Sequence, residues 1–216
     1  MRLRNSLLAG LALCVLMLAA FVFRNSDFRH LLLRKPSILA IMTLVLVWNA
    51  YAAVRWTHAR TSEDSMVLQA GIKWGLAIGC AWGLVAIVPV NVFTLNDEVG
   101  APLWFLGLFC GILLPFASGS AGAIKTGNVQ IGRRVGYWSG LVGSLMGFLV
   151  FAIREFAGHG EFALVAAFYV MFIFGSLYGG VAGMLGGWIG LKLYRTGEPP
   201  ITSRGEMGHQ ETGAPA

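Results

Sequence analysis

Charged side chains are scarce in this sequence. They make up 12% of 216 residues, about half the ~25% of a water-soluble domain, so the chain cannot cover a globule with solvated groups. Lipid can cover it instead, because 56% of the residues are hydrophobic. They fall in runs near the ~20 residues that cross a ~30 Å hydrocarbon layer as a helix. Cysteine is rare too: Cys14, Cys80 and Cys110 lie inside apolar runs and form no CxxC pair. That spacing argues against a disulfide framework or a zinc site, and the three read as small buried hydrophobes. The histidines at positions 30, 58, 159 and 209 lie outside the runs, which argues against a transmembrane haem held by two of them. No run carries a central carboxylate, which disfavours a proton-coupled carrier. Lys73, Lys125, Arg154, Glu155 and Lys192 sit near run ends, where long side chains reach the interface. No nucleophile–base or metal pair shares a buried face. The expectation is a protein that is not an enzyme and holds neither cofactor nor metal.

What is present is an all-α integral membrane protein of about six transmembrane helices. The runs are Ser6 to Phe23, Ser37 to Val54, Ile72 to Phe93, Pro102 to Ile124, Val135 to Ile153 and Phe162 to Tyr194. The last is long for one perpendicular helix, so it is expected to tilt or to extend past the interface. The first follows Met1-Arg2-Leu3-Arg4 and also fits a secretory signal peptide. Its continuation through Phe21-Val22-Phe23 favours an uncleaved anchor. Three regions follow: an N-terminal pair with a basic loop (1–60), a glycine-rich four-helix domain (61–195) and a polar tail (196–216) expected to be disordered.

The formal charge of +6 does not point to nucleic acid, because no polar segment interleaves basic and aromatic residues. Lys and Arg cluster between the runs, as at Arg34-Lys35 and Arg133-Arg134, a placement that orients membrane proteins and contacts anionic headgroups. With the N-terminus inside, 11 of the 16 basic residues face inward and 5 outward. Both termini are therefore expected in the cytoplasm, and the expected location is a bacterial plasma membrane, the cell inner membrane. Arg24 to Lys35 resists this scheme as a basic loop on the outer side. Either Phe28 to Leu33 lies along the interface as a short amphipathic helix, or the first two runs do not both span. Trp74, Trp138 and Trp188 fall near inner run ends and Trp104 near an outer end, where indole rings favour the headgroup region.

Glycine is abundant, with 29 residues, and its spacing is regular. Gly71, Gly75, Gly79 and Gly83 are four apart, as are Gly175, Gly179, Gly183 and Gly187. Between them lie Gly136 and Gly140 on one row, Gly143 and Gly147 on another, and the looser series Gly107, Gly111 and Gly119. Residues four apart share a helix face, and bare faces let backbones approach closely where burial from water cannot drive association. Such rows are those of a glycine zipper. A shift of 64 residues carries Trp74 onto Trp138, Gly79 onto Gly143, Gly111 onto Gly175 and Gly119 onto Gly183. It suggests a duplicated two-helix hairpin, repeats 71–128 and 135–192, related by an axis along the membrane normal.

Two groups of polar residues are candidate sites. Asp97, Glu98, Glu155, His159 and Glu161 form an acidic outer rim, read as solvated loop charge rather than a cation site. Pro115 breaks a turn in mid-span and frees carbonyls. Ser118 and Ser120 would satisfy them or, with Asn91 and Asn49, line a polar path of the kind transporters build at broken helices. The leading expectation is a non-catalytic scaffold or accessory subunit acting by close helix packing, with lipid and other membrane subunits or further copies as partners. The alternative is a small channel or transporter for a small solute or ion.

Overall fold

The computed structural model describes residues 2–24, 26–56, 62–87, 100–156 and 168–197. These residues are helical apart from short turns, with no strand among them. The elements are α1 (Arg2–Arg24), α2 (Ser26–Arg34), α3 (Pro36–Trp56), α4 (Ser62–Ile87), α5 (Gly100–Thr126), α6 (Val129–Phe156), α7 (Tyr169–Tyr178) and α8 (Gly179–Gly197). Five of them contain segments long and apolar enough to cross a membrane: Asn5–Arg24, Pro36–Arg55, Glu63–Ile87, Phe105–Thr126 and Val129–Arg154. The chain is a membrane protein by that measure.

The observed elements depart from the apolar runs in three places. Helix α4 starts at Ser62, well before Ile72, because a polar first turn with Glu63 and Asp64 suits the positive end of the helix dipole. Helix α6 likewise starts at Val129, so Arg133 and Arg134 are helical rather than in a loop. From Phe168 onward the last run is one helical path of two windings: α7 is a π-helix that passes directly into α-helical α8. A π-helix fits more residues into each turn, so this run advances less than an α-helix of equal length. Thr196 and Gly197 complete α8; the rest of the expected tail lies outside the described residues.

Between α1 and α3, the basic loop forms the separate short helix α2. Both flanking helices are long enough to span. Arg29, His30 and Arg34 are exposed on α2, while Leu32 is half-buried.

Helix α6 is the centre of the molecule. Of its apolar span 72% is buried inside the protein, against 22–39% for the other four. Its Val135, Trp138, Leu141, Leu145, Phe148 and Ala152 are buried. Phe148 meets Phe168 and Phe172 edge-on at ring separations of 5.8 and 5.7 Å. Phe168 and Phe172 stack at 5.0 Å. Helices α4, α5, α7 and α8 pack around α6, and α1 lies against it on a further side, with α3 reaching α1 and α7.

Candidate functional site

The glycines predicted to pack meet other segments of the same chain. A Cβ built at Gly75 would sit 2.5 Å from Val142 Cβ, and one at Gly79 would sit 2.7 Å from Met146 Cβ. At Gly71 it would overlap the Cβ of Trp138, and at Gly143 it would overlap the Ile78 side chain. These pairs ascend together, so α4 and α6 run parallel. On the opposite side of α6 the order is reversed. Gly140 faces Gly175, Gly136 faces Gly179 and Gly132 faces Gly183, so α6 runs antiparallel to α7 and α8. A Cβ at Gly140 would overlap the Gly175 carbonyl oxygen, and one at Gly183 would lie 2.7 Å from the Gly132 carbonyl oxygen.

Helix α5 joins the same junction. Gly119 lies against Gly183, and a Cβ built at Gly187 would sit 3.0 Å from the Ala123 Cβ. A Cβ at Gly132 would lie 2.6 Å from the Gly119 carbonyl oxygen, so three helices touch through backbone at one level. Contact this close replaces side-chain interdigitation with Cα–H···O contacts, each worth ~0.5–1 kcal/mol. Two of the glycines behave differently. A Cβ at Gly83 would have no neighbour from another segment nearer than 4.0 Å, and one at Gly111 would lie 3.0 Å from the Trp82 ring. Gly147 is buried.

Pro115 stands inside α5, where it removes the N–H that would bond the Gly111 carbonyl and crowds that turn. Tyr178 Oη, from the end of α7, donates to the adjoining Ile112 carbonyl at 3.0 Å. Ser118 Oγ lies 2.7 Å from the Pro115 carbonyl and 3.0 Å from Ser139 Oγ, which in turn lies 2.9 Å from the Gly136 carbonyl. Each hydroxyl has one proton, so at most two of the three contacts are hydrogen bonds at any instant. Both serines are fully buried. Their polar groups face each other across the α5–α6 interface.

Of the residues expected along a polar path, Ser118 and Ser120 face different helices. Ser118 faces Ser139 on α6, whereas Ser120 Oγ lies against Gly190 on α8. Pro115 borders a cavity of about 350 Å³ with Trp82, Gly111, Gly140, Gly175 and Tyr178; neither serine lines it. Its walls are almost wholly apolar. Asn91 lies outside the described residues, as do Asp97, Glu98, His159 and Glu161 of the outer rim. Glu155 is in α6, but its side chain is likewise outside them. Asn49 is fully buried, with Nδ2 donating to the Val45 carbonyl at 2.9 Å and Oδ1 accepting from Tyr137 Oη at 3.4 Å. Among the described residues no three His, Cys, Asp or Glu side chains gather as metal ligands, and the three cysteines are free.

Trp138 turns into the bundle rather than outward. It is 3% exposed, set edge-on to the Tyr137 ring at 5.7 Å and pressed on Gly71. Because α6 begins nine residues earlier than this position, its indole lies inside the bundle and acts as a packing group. Trp188 is 57% exposed, as a headgroup-level ring would be; the Trp104 ring is outside the described residues.

Two polar links escaped the sequence reading. Arg134 Nη2 on α6 donates to Asp64 Oδ1 on α4, and Arg154 Nη1 near the other end of α6 donates to the Ala86 carbonyl in the last turn of α4. Both tie α4 to α6, at opposite ends of the parallel pair. Their partners lie about 70 residues apart in sequence with no local motif to couple them.

No protein-family model, curated protein or solved structure matches the chain.

Proposed function

We propose that the protein is a non-catalytic membrane scaffold or accessory subunit whose glycine-rich helices form a close-packed bundle. The observation that carries this reading is the junction of Gly119, Gly132, Gly136 and Gly183, where α5, α6 and α8 meet through backbone. Surfaces bare enough for such contact are costly, since each glycine gives up roughly 1 kcal/mol of helix propensity, so a rigid core is the return for them. The glycine faces are spent within the chain, which leaves the outward apolar sides, such as Phe105, Leu106 and Phe109 of α5, to lipid and to partner subunits or further copies. Extraction in mild detergent tests this: the chain is expected to elute with a partner or as an oligomer. A lone, monodisperse monomer would contradict it.

The same reading takes the path from Phe168 to Gly197 as a sixth span, with both termini in the cytoplasm of a bacterial cell. Alternation of six spans requires α4 and α6 to run parallel, in keeping with their ascending contacts. A duplicated hairpin gains support from Gly119 and Gly183. They are equivalent under the 64-residue shift and meet each other, as equivalent residues do on a two-fold axis.

A second reading, a small channel or transporter, draws on the cavity beside Pro115 and on the π-winding of α7, since π-helical turns recur at functional sites. Solute flux in proteoliposomes discriminates the two. On the channel reading, I78F, which adds volume at a cavity-lining position, lowers flux; absent flux in the wild type removes this reading.

A further inference from the structure

A second cavity, of about 380 Å³, opens where the turn between α5 and α6 meets the last turns of α8. Its walls include Gly127, Val129, Trp188, Lys192, Arg195 and Thr196. Gly127 makes the turn possible with φ of 69°, a left-handed conformation that side-chain-bearing residues adopt at a cost. Lys192 Nζ lies 5.5 Å from the centre of the Trp188 ring, so the cation is held over an aromatic face rather than free in solvent. Neither Lys192 nor Arg195 has a carboxylate partner among the described residues. Two cations, an indole and a concave wall are thus gathered at one end of the bundle, and no carboxylate among the described residues neutralises them.

Other groups at the cavity are already committed. Thr196 Oγ1 lies within reach of the Leu193 and Lys192 carbonyls at 2.9 and 3.1 Å, so its one proton is taken up by α8. The first turn of α6 is capped by Asn128, whose side-chain oxygen accepts from the Gln130 N–H and whose carbonyl accepts from the Ile131 N–H. Helix ends therefore add little here, and the carboxyl end of α8 disfavours an anion. Lys192 and Arg195 carry the attraction.

We propose that this cavity binds the phosphodiester headgroup of an anionic phospholipid. A bound phosphate would take donors from Lys192 and Arg195, with Trp188 at headgroup level. Basic pockets between helices bind such headgroups in other membrane proteins. A lipid fits better than a free phosphate because an exposed apolar strip, Leu185 and Ile189 with Trp188, continues from the cavity along α8 and offers the acyl chains a bed.

The test uses the full chain in a zwitterionic detergent, with phosphatidylglycerol, phosphatidylcholine and glycerol phosphate as separate probes and bound lipid counted by native mass spectrometry. Phosphatidylglycerol is expected to bind, and K192Q/R195Q to weaken it about 30-fold, the loss of two headgroup contacts. A control, K125Q/R133Q, removes two exposed cations outside the cavity and is expected to change affinity less than about three-fold. Equal binding by K192Q/R195Q and wild type would overturn the site, as would an equal loss in the control. Equal affinity for glycerol phosphate would overturn the lipid as ligand. A monodisperse elution peak in both variants keeps misfolding apart from lost binding.

Discussion

At the scale of single residues, the missing Cβ atoms set how near the helices lie. Gly140 and Gly119 have backbone from another helix within the volume a methyl group needs, and backbone cannot rotate away as a side chain can. G140A and G119A are each expected to lower stability by about 1–3 kcal/mol, the usual cost of overfilling a tight interior. G83A is the contrast, because the added Cβ would meet no other segment nearer than 4.0 Å; it is expected to be neutral or slightly stabilising through helix propensity. Thermal unfolding in detergent would rank the three. The Tyr178 hydroxyl belongs to the same scale. It donates to a carbonyl next to the proline-broken turn, so Y178F is expected to cost about 1 kcal/mol while leaving ring packing intact.

At the scale of elements, α6 is tied to α4 near both ends, by Arg134 to Asp64 and by Arg154 to the Ala86 carbonyl. The Arg134 side chain is 42% exposed and that of Asp64 20%, so solvent screens the pair and its coupling is expected to be modest, about 0.5–1 kcal/mol in a D64N/R134Q double-mutant cycle. A coupling indistinguishable from zero would mean that α4 and α6 are held by glycine contacts and apolar burial alone. The elements themselves were largely legible in the sequence. The runs Ser6 to Phe23, Ser37 to Val54 and Pro102 to Ile124 begin and end within one to four residues of α1, α3 and α5, because length and apolarity are what a bilayer dictates. Helices α4 and α6 begin before their apolar runs, since hydropathy cannot register a polar first turn such as Ser62 to Ser65. Row spacing marked which face of α6 is bare. Which helix fills that face depends on contacts between distant residues, such as Gly140 with Gly175, and no local pattern encodes them. The same limit hid the burial of Trp138, whose depth follows from where α6 begins.

At the scale of the whole molecule, the glycine rows turn inward and close α4, α5, α7 and α8 around α6. The proposed scaffold and the proposed conduit differ most sharply at Ser118. In a closed bundle its hydroxyl stays against Ser139 Oγ at 3.0 Å, sealed between α5 and α6; in a conduit it meets water. The most direct test is oxidative cross-linking of S118C/S139C in native membranes, with Cys14, Cys80 and Cys110 replaced by alanine. A disulfide within one chain, formed in high yield while S118C alone resists a water-soluble maleimide, is the predicted result. Failure of the pair to cross-link within a chain, with S118C labelled readily from the aqueous phase, would contradict a close-packed α5–α6 interface.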